Sequence, residues 1–120
     1  RIVSSSGWNP CQLMHGFMPP HPSLFISTQL QKKHLYFIDK FHTGSDYEMM
    51  VRLFLRENLP YEYSGLNTTI MRTGGMSNRG ITSYFKNTFD IYRALRYNNL
   101  KIYYITILFR GFKKILTEIQ

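Results

Sequence analysis

Apolar residues recur along this chain with a helical period in its middle and last thirds, and without a period at its start. Tyr47, Met50, Val51 and Phe54 fall at i, i+3, i+4 and i+7, the spacing of a helical stripe turned to a core. The pattern predicts a helix from Ser45 to about Asn58, stopped by Pro60, whose ring removes a donor and clashes with the preceding turn. Ser45 and Glu48 have the S-x-x-E spacing of a capping box, in which the serine caps and the glutamate reaches back. Glu48 and Arg52 also stand at i, i+4 in the favourable order. Asp46 then occupies the first helical position with its side chain free to point outward.

Further helices are predicted over Ile81 to Tyr97 and from about Leu100 to Ile119. The last places Ile105, Leu108, Phe109, Phe112, Ile115, Leu116 and Ile119 on one side, and Arg110, Lys113, Lys114 and Thr117 on the other. Such a basic amphipathic helix either docks its apolar face on the domain or lies in an anionic membrane interface. Gln29 to about His34 supports one or two helical turns. Leu24-Phe25-Ile26 is a short strand candidate, and Tyr61 to Arg72 has β-rich composition with Gly65 as a bend. Residues 1–22 are broken by Gly7, Pro10, Gly16, Pro19, Pro20 and Pro22, yet carry Trp8, Leu13, Met14, Phe17 and Met18. An apolar loop of this kind packs against a scaffold and can line a site.

Composition adds three constraints. The chain has 120 residues, one domain at most, with enough length to bury a core. Its formal charge of +8 favours anionic partners such as nucleic acid, sugar nucleotides or anionic lipid, or else solubilises the surface. The single cysteine, Cys11, excludes an internal disulfide framework. The uncharged run from Ile102 to Phe109 is far shorter than the roughly 20 residues of a membrane span.

Four side-chain groups could carry chemistry. The spacings His15/His21 and His34/His42 match no zinc pattern, and Cys11 offers no established nucleophile setting. His21 lies in the rigid segment Met18-Pro19-Pro20-His21-Pro22. It can contact a diphosphate, a sugar hydroxyl or a metal's open position, or simply bond a nearby carbonyl. Arg72 and Arg79 flank Gly74, Gly75 and Ser77, a set suited to an anion or to an ordinary connection. Asp46 is either the acid that a helix dipole favours at any first turn or a general base.

Together these pieces show a resemblance. Leu13-Met14-His15-Gly16-Phe17-Met18-Pro19-Pro20-His21-Pro22-Ser23-Leu24-Phe25-Ile26, then Ser45 to Leu53, then Met71-Arg72-Thr73-Gly74-Gly75-Met76-Ser77 resemble the C-terminal half of bacterial family 2 glycosyltransferases. These have the GT-A fold and build O-antigen, capsule or colanic-acid-type polysaccharides. The resemblance implies an α/β fold: an acceptor-side half with a few short strands over residues 1–80, and a helical tail over 81–120, as one structural unit. It implies that Asp46 deprotonates an acceptor hydroxyl, and that His21 lines the sugar pocket. Ser45 stands where many relatives have glutamate. Arg72, Gly74, Gly75 and Ser77 match a loop closing over donor or acceptor.

The nucleotide-binding half, with its Asp-x-Asp motif and Mg²⁺ or Mn²⁺, is expected to precede residue 1, so the chain alone is expected to transfer no sugar. The implied partners are a nucleotide-sugar donor, a lipid-linked saccharide acceptor and the inner membrane, met peripherally from the cytoplasm; an oligomer is compatible with this. No nucleic acid is expected as partner. The rival is a small basic module for nucleic acid or a membrane surface, resting on the charge and the many Tyr and Phe residues.

Overall fold

The hydrophobic periodicity of residues 45–54 is realised as the central element of the molecule. The computed structural model describes residues 5–34, 38–41, 43–70 and 81–110. The α-helices are α1 (Thr28–His34), α2 (Ser45–Val51) and α3 (Ile81–Tyr97), joined by a fourth helical stretch, α4, over residues 104–110. Two 3₁₀ turns, Pro10–His15 and His21–Ser23, precede them.

α2 continues without a break into a π-helical turn, Arg52–Arg56. There the Glu57 N–H reaches Arg52 O at 2.8 Å, and the Leu59 N–H reaches Leu53 O at 3.0 Å. Asn58 closes this end at φ 50°, a left-handed geometry that asparagine tolerates better than most residues. Asn99 ends α3 the same way at φ 56°, with the Leu100 N–H on Leu95 O at 3.0 Å. This wraps the last turn in the manner of a Schellman motif.

Tyr47, Met50, Val51 and Phe54 are all buried, as their spacing requires. So are Glu48, Met49, Arg52 and Leu53, so residues 47–54 are enclosed on every side. α3 supplies Ile91, Ala94 and Leu95 to the same core, α4 supplies Ile107, and the first 3₁₀ turn supplies Leu13. Trp8 packs edge-on against Phe54 at 5.4 Å, so the proline- and glycine-broken N-terminal segment is held down by its aromatic side chain.

The expected α/β fold with short strands is corrected. Among the described residues there is no strand: the architecture is helices and loops around one core. Leu24-Phe25-Ile26 forms no ladder, and residues 61–70 are irregular and exposed throughout. β-rich composition marks residues that suit a half-buried pleated surface. Leu66 and Ile70 are exposed, and among the described residues no neighbouring strand takes up their backbone groups.

The expected capping box is also corrected. Gly44, not Ser45, caps α2, at φ 83° and without a side-chain bond. Ser45 becomes the first helical residue. Glu48 turns inward instead of back to the cap. The helix expected from Leu100 begins at residue 104. It buries Ile107 while leaving Ile105, Leu108 and Phe109 exposed. Residues 111–120, which carry the rest of the expected apolar face, lie outside the described residues. Among the described residues, no helix is long and apolar enough to cross a membrane.

Candidate functional site

The head of α2 is set by a glycine turn wedged against α3. A Cβ on Gly44 would fall 2.8 Å from the Asp90 Cβ, so the backbone passes there only without a side chain. Thr43 Oγ1 donates to Asp90 Oδ2 at 2.9 Å, tying the turn to α3 from its other side. This turn puts Asp46 in the first turn of α2, where the exposed amide groups and helix dipole favour an acidic side chain.

The second contribution comes from the proline segment. The His21–Ser23 turn is held by the Ser23 N–H on Pro20 O and the Leu24 N–H on His21 O, both at 3.0 Å. Thr69 Oγ1 donates to Pro22 O at 3.2 Å. His21 Nε2 stands 3.3 Å from Asp46 Oδ2, with the two side chains 43% and 39% exposed. The pair is therefore ordered by its supports yet open to a ligand. Two residues that the sequence places 25 positions apart thus meet at one point on the surface. Ser45 lies beside them, half-buried. Arg72, Gly74, Gly75 and Ser77, the other expected site residues, lie outside the described residues.

Beneath the pair, α2 is fixed by a buried polar network. Arg52 Nε donates to Glu48 Oε1 at 3.2 Å, and Nη2 to Oε2 at 3.3 Å. Arg52 Nη1 donates to His34 O at 2.7 Å. Asn98 Nδ2 donates to Glu48 Oε1 at 3.3 Å and to Ala94 O at 2.9 Å. Tyr47, next to Asp46, donates its hydroxyl to Leu13 O. Burial pushes that hydroxyl well above its ordinary range, and the Arg110 charge partly offsets this. Burial also lowers Arg110, against the raising influence of Tyr47 and Tyr84. Asp90 and Asn98 were missed in the sequence; neither stands in a local motif, and each works through a partner about 50 residues away.

The Mg²⁺ or Mn²⁺ expectation meets a sparse donor set. Among the described residues, no three His, Cys, Asp or Glu side chains converge. His21 and Asp46 as a pair do not make the oxygen-rich shell such a cation takes. The other histidine of the N-terminal segment is engaged elsewhere: His15 Nδ1 bonds Thr106 Oγ1 at 2.8 Å, and its ring lies 4.9 Å from that of Tyr103.

No family model, curated protein or solved structure matches the chain.

Proposed function

We propose that this chain supplies the acceptor-activating side of an inverting glycosyl transfer, with Asp46 as general base. The observation that carries the reading is the half-exposed His21–Asp46 pair, 3.3 Å apart at the head of α2. A base must be reachable by the hydroxyl it deprotonates and must not swing away from it. Asp46 meets both demands: its carboxylate is 39% exposed, and its backbone is pinned through Gly44 and Asp90.

The acceptor hydroxyl gives its proton to the Asp46 carboxylate while its oxygen forms a bond to the anomeric carbon of the donor sugar. The bond from that carbon to the nucleoside diphosphate breaks, and the electron pair leaves with the phosphate. Attack opposite the leaving group inverts the configuration. His21 holds the Asp46 carboxylate and borders the space where the sugar arrives. A nucleotide sugar is the donor and a lipid-linked or free saccharide the acceptor, in bacterial surface polysaccharide synthesis. No step is routed through a cation.

The test is Asp46→Asn in the full-length protein, read as donor binding and as transfer of labelled sugar. The expected result is retained binding with transfer lost; near-normal transfer would refute the role.

Peripheral contact with a membrane is a second reading, in addition to transfer or in its place. It is favoured by the exposed Tyr104, Ile105, Leu108 and Phe109 on α4, on a chain of charge +8.

A further inference from the structure

A groove of about 220 Å³ opens beside the segment that carries His21. One wall is Pro19, Pro20 and Ser23, the residues on either side of His21. The opposite walls are aromatic: Trp8 meets Tyr61 edge-on at 5.4 Å, and Phe54 packs 5.8 Å from Tyr61. Glu62 and Asn67 add a carboxylate and an amide to its lining.

The charge of this lining is informative. Among the described residues, no Lys, Arg or His lines the groove, and the one ionic lining group is the acid Glu62. A phosphate or nucleotide site presents cations or convergent backbone donors, which the described lining does not offer. Glu62 and Asn67, both exposed, add polar groups that a purely apolar guest would leave unused. The size fits a small ring: an apolar cavity of about 150 Å³ holds benzene, which leaves room here for a six-membered ring with hydroxyl substituents.

We propose that this groove is a saccharide subsite that takes one neutral pyranose unit. The C–H face of the sugar lies on the Tyr61 ring and its edge meets Trp8, through apolar burial and weak C–H contacts. Its hydroxyls donate to Glu62 and exchange hydrogen bonds with Asn67 and Ser23. The choice of a sugar over another amphiphilic ring rests on the glycosyl-transfer reading. In that reading the groove holds a unit of the acceptor while the reacting hydroxyl lies toward His21 and Asp46.

Trp8 is the single tryptophan of the chain, so its emission reports on the groove directly. The protein is titrated with methyl α-D-glucopyranoside, methyl β-D-galactopyranoside and N-acetylglucosamine. Sorbitol, an acyclic polyol, and inorganic phosphate serve as controls. The expected result is a saturable change with at least one pyranose and none with either control. Tyr61→Ala, at an exposed position, is expected to weaken binding about tenfold, and Glu62→Gln to weaken it without altering the fold. Asp46→Asn is expected to leave the titration unchanged. No saturable change with any pyranose, an equal response to sorbitol or phosphate, or undiminished binding by Tyr61→Ala would overturn the proposal. Failure of the titration while Asp46→Asn still loses transfer removes the groove assignment alone. A normal titration with transfer intact in Asp46→Asn removes the base and leaves the groove as a saccharide site.

Discussion

Arg52→Met tests whether the polar network under α2 holds the site's foundation. Arg52 and Glu48 are 2% and 1% exposed, and two guanidinium nitrogens meet the two carboxylate oxygens at 3.2 and 3.3 Å. Removing the guanidinium leaves Glu48 buried with the Asn98 amide still donating to it, and strips His34 O of a 2.7 Å bond. Breaking a buried pair from one side costs about 3–5 kcal/mol, a large share of the roughly 5–15 kcal/mol that stabilises a domain. With a urea m-value of about 1.5 kcal/mol/M, the midpoint falls by about 2–3 M. The assay is equilibrium urea unfolding followed by Trp8 emission. The double change Glu48→Met/Arg52→Met removes both charges and is expected to recover most of the loss, because a buried ion pair and apolar residues of similar volume are often nearly equivalent. A single variant within about 1 kcal/mol of the parent, or a double variant no better than the single, would refute this account of the core.

Three other outcomes are expected. Gly44→Ala should cost about 2 kcal/mol or more, because a left-handed alanine is strained and its Cβ falls 2.8 Å from Asp90; urea unfolding measures it. Tyr47→Phe should cost about 0.5–1.5 kcal/mol at neutral pH by removing one of two donors to Leu13 O, which keeps the Gly16 N–H. Tyr47 also sets an alkaline limb. Burial raises its hydroxyl above the ordinary 10.0, so the folded state keeps this proton after the unfolded chain begins to lose it. Its contribution is complete below pH ~10 and declines above it by up to about 1.4 kcal/mol per pH unit, a slope that thermal melts from pH 9 to ~11 should find flattened in Tyr47→Phe. Finally, the chain should co-sediment with vesicles containing phosphatidylglycerol and not with phosphatidylcholine alone, and Ile105→Ser/Leu108→Ser should reduce that binding; equal binding to both vesicles, or none, would remove the membrane contact.

The period of 3.6 made two helices legible. The stripe Tyr47, Met50, Val51, Phe54 is buried as expected, and α3 spans Ile81–Tyr97 as the pattern indicated. Both depend on local spacing. What failed depended on partners distant in sequence. S-x-x-E is equally present whether Ser45 caps the helix or follows the cap, and the choice was made by Gly44 fitting against Asp90. Glu48 and Arg52 had the spacing of a solvent-exposed pair, but Asn98 and α3 enclose them. Tyr61 to Ile70 had strand composition without a neighbouring strand to complete a ladder. No spacing rule brings His21 to Asp46; the two meet only through the fold. The groove beside them was invisible because Trp8 and Tyr61, its aromatic walls, lie more than fifty residues apart.

The central claim is that the Asp46 carboxylate takes the acceptor proton. Its most direct test is transfer of labelled sugar from a panel of nucleotide sugars into lipid-extractable material by full-length protein, parent against Asp46→Asn. A lost general base predicts a fall of about 10²–10⁴-fold with donor binding and the urea midpoint preserved. Transfer by Asp46→Asn at near the parent rate would contradict the account.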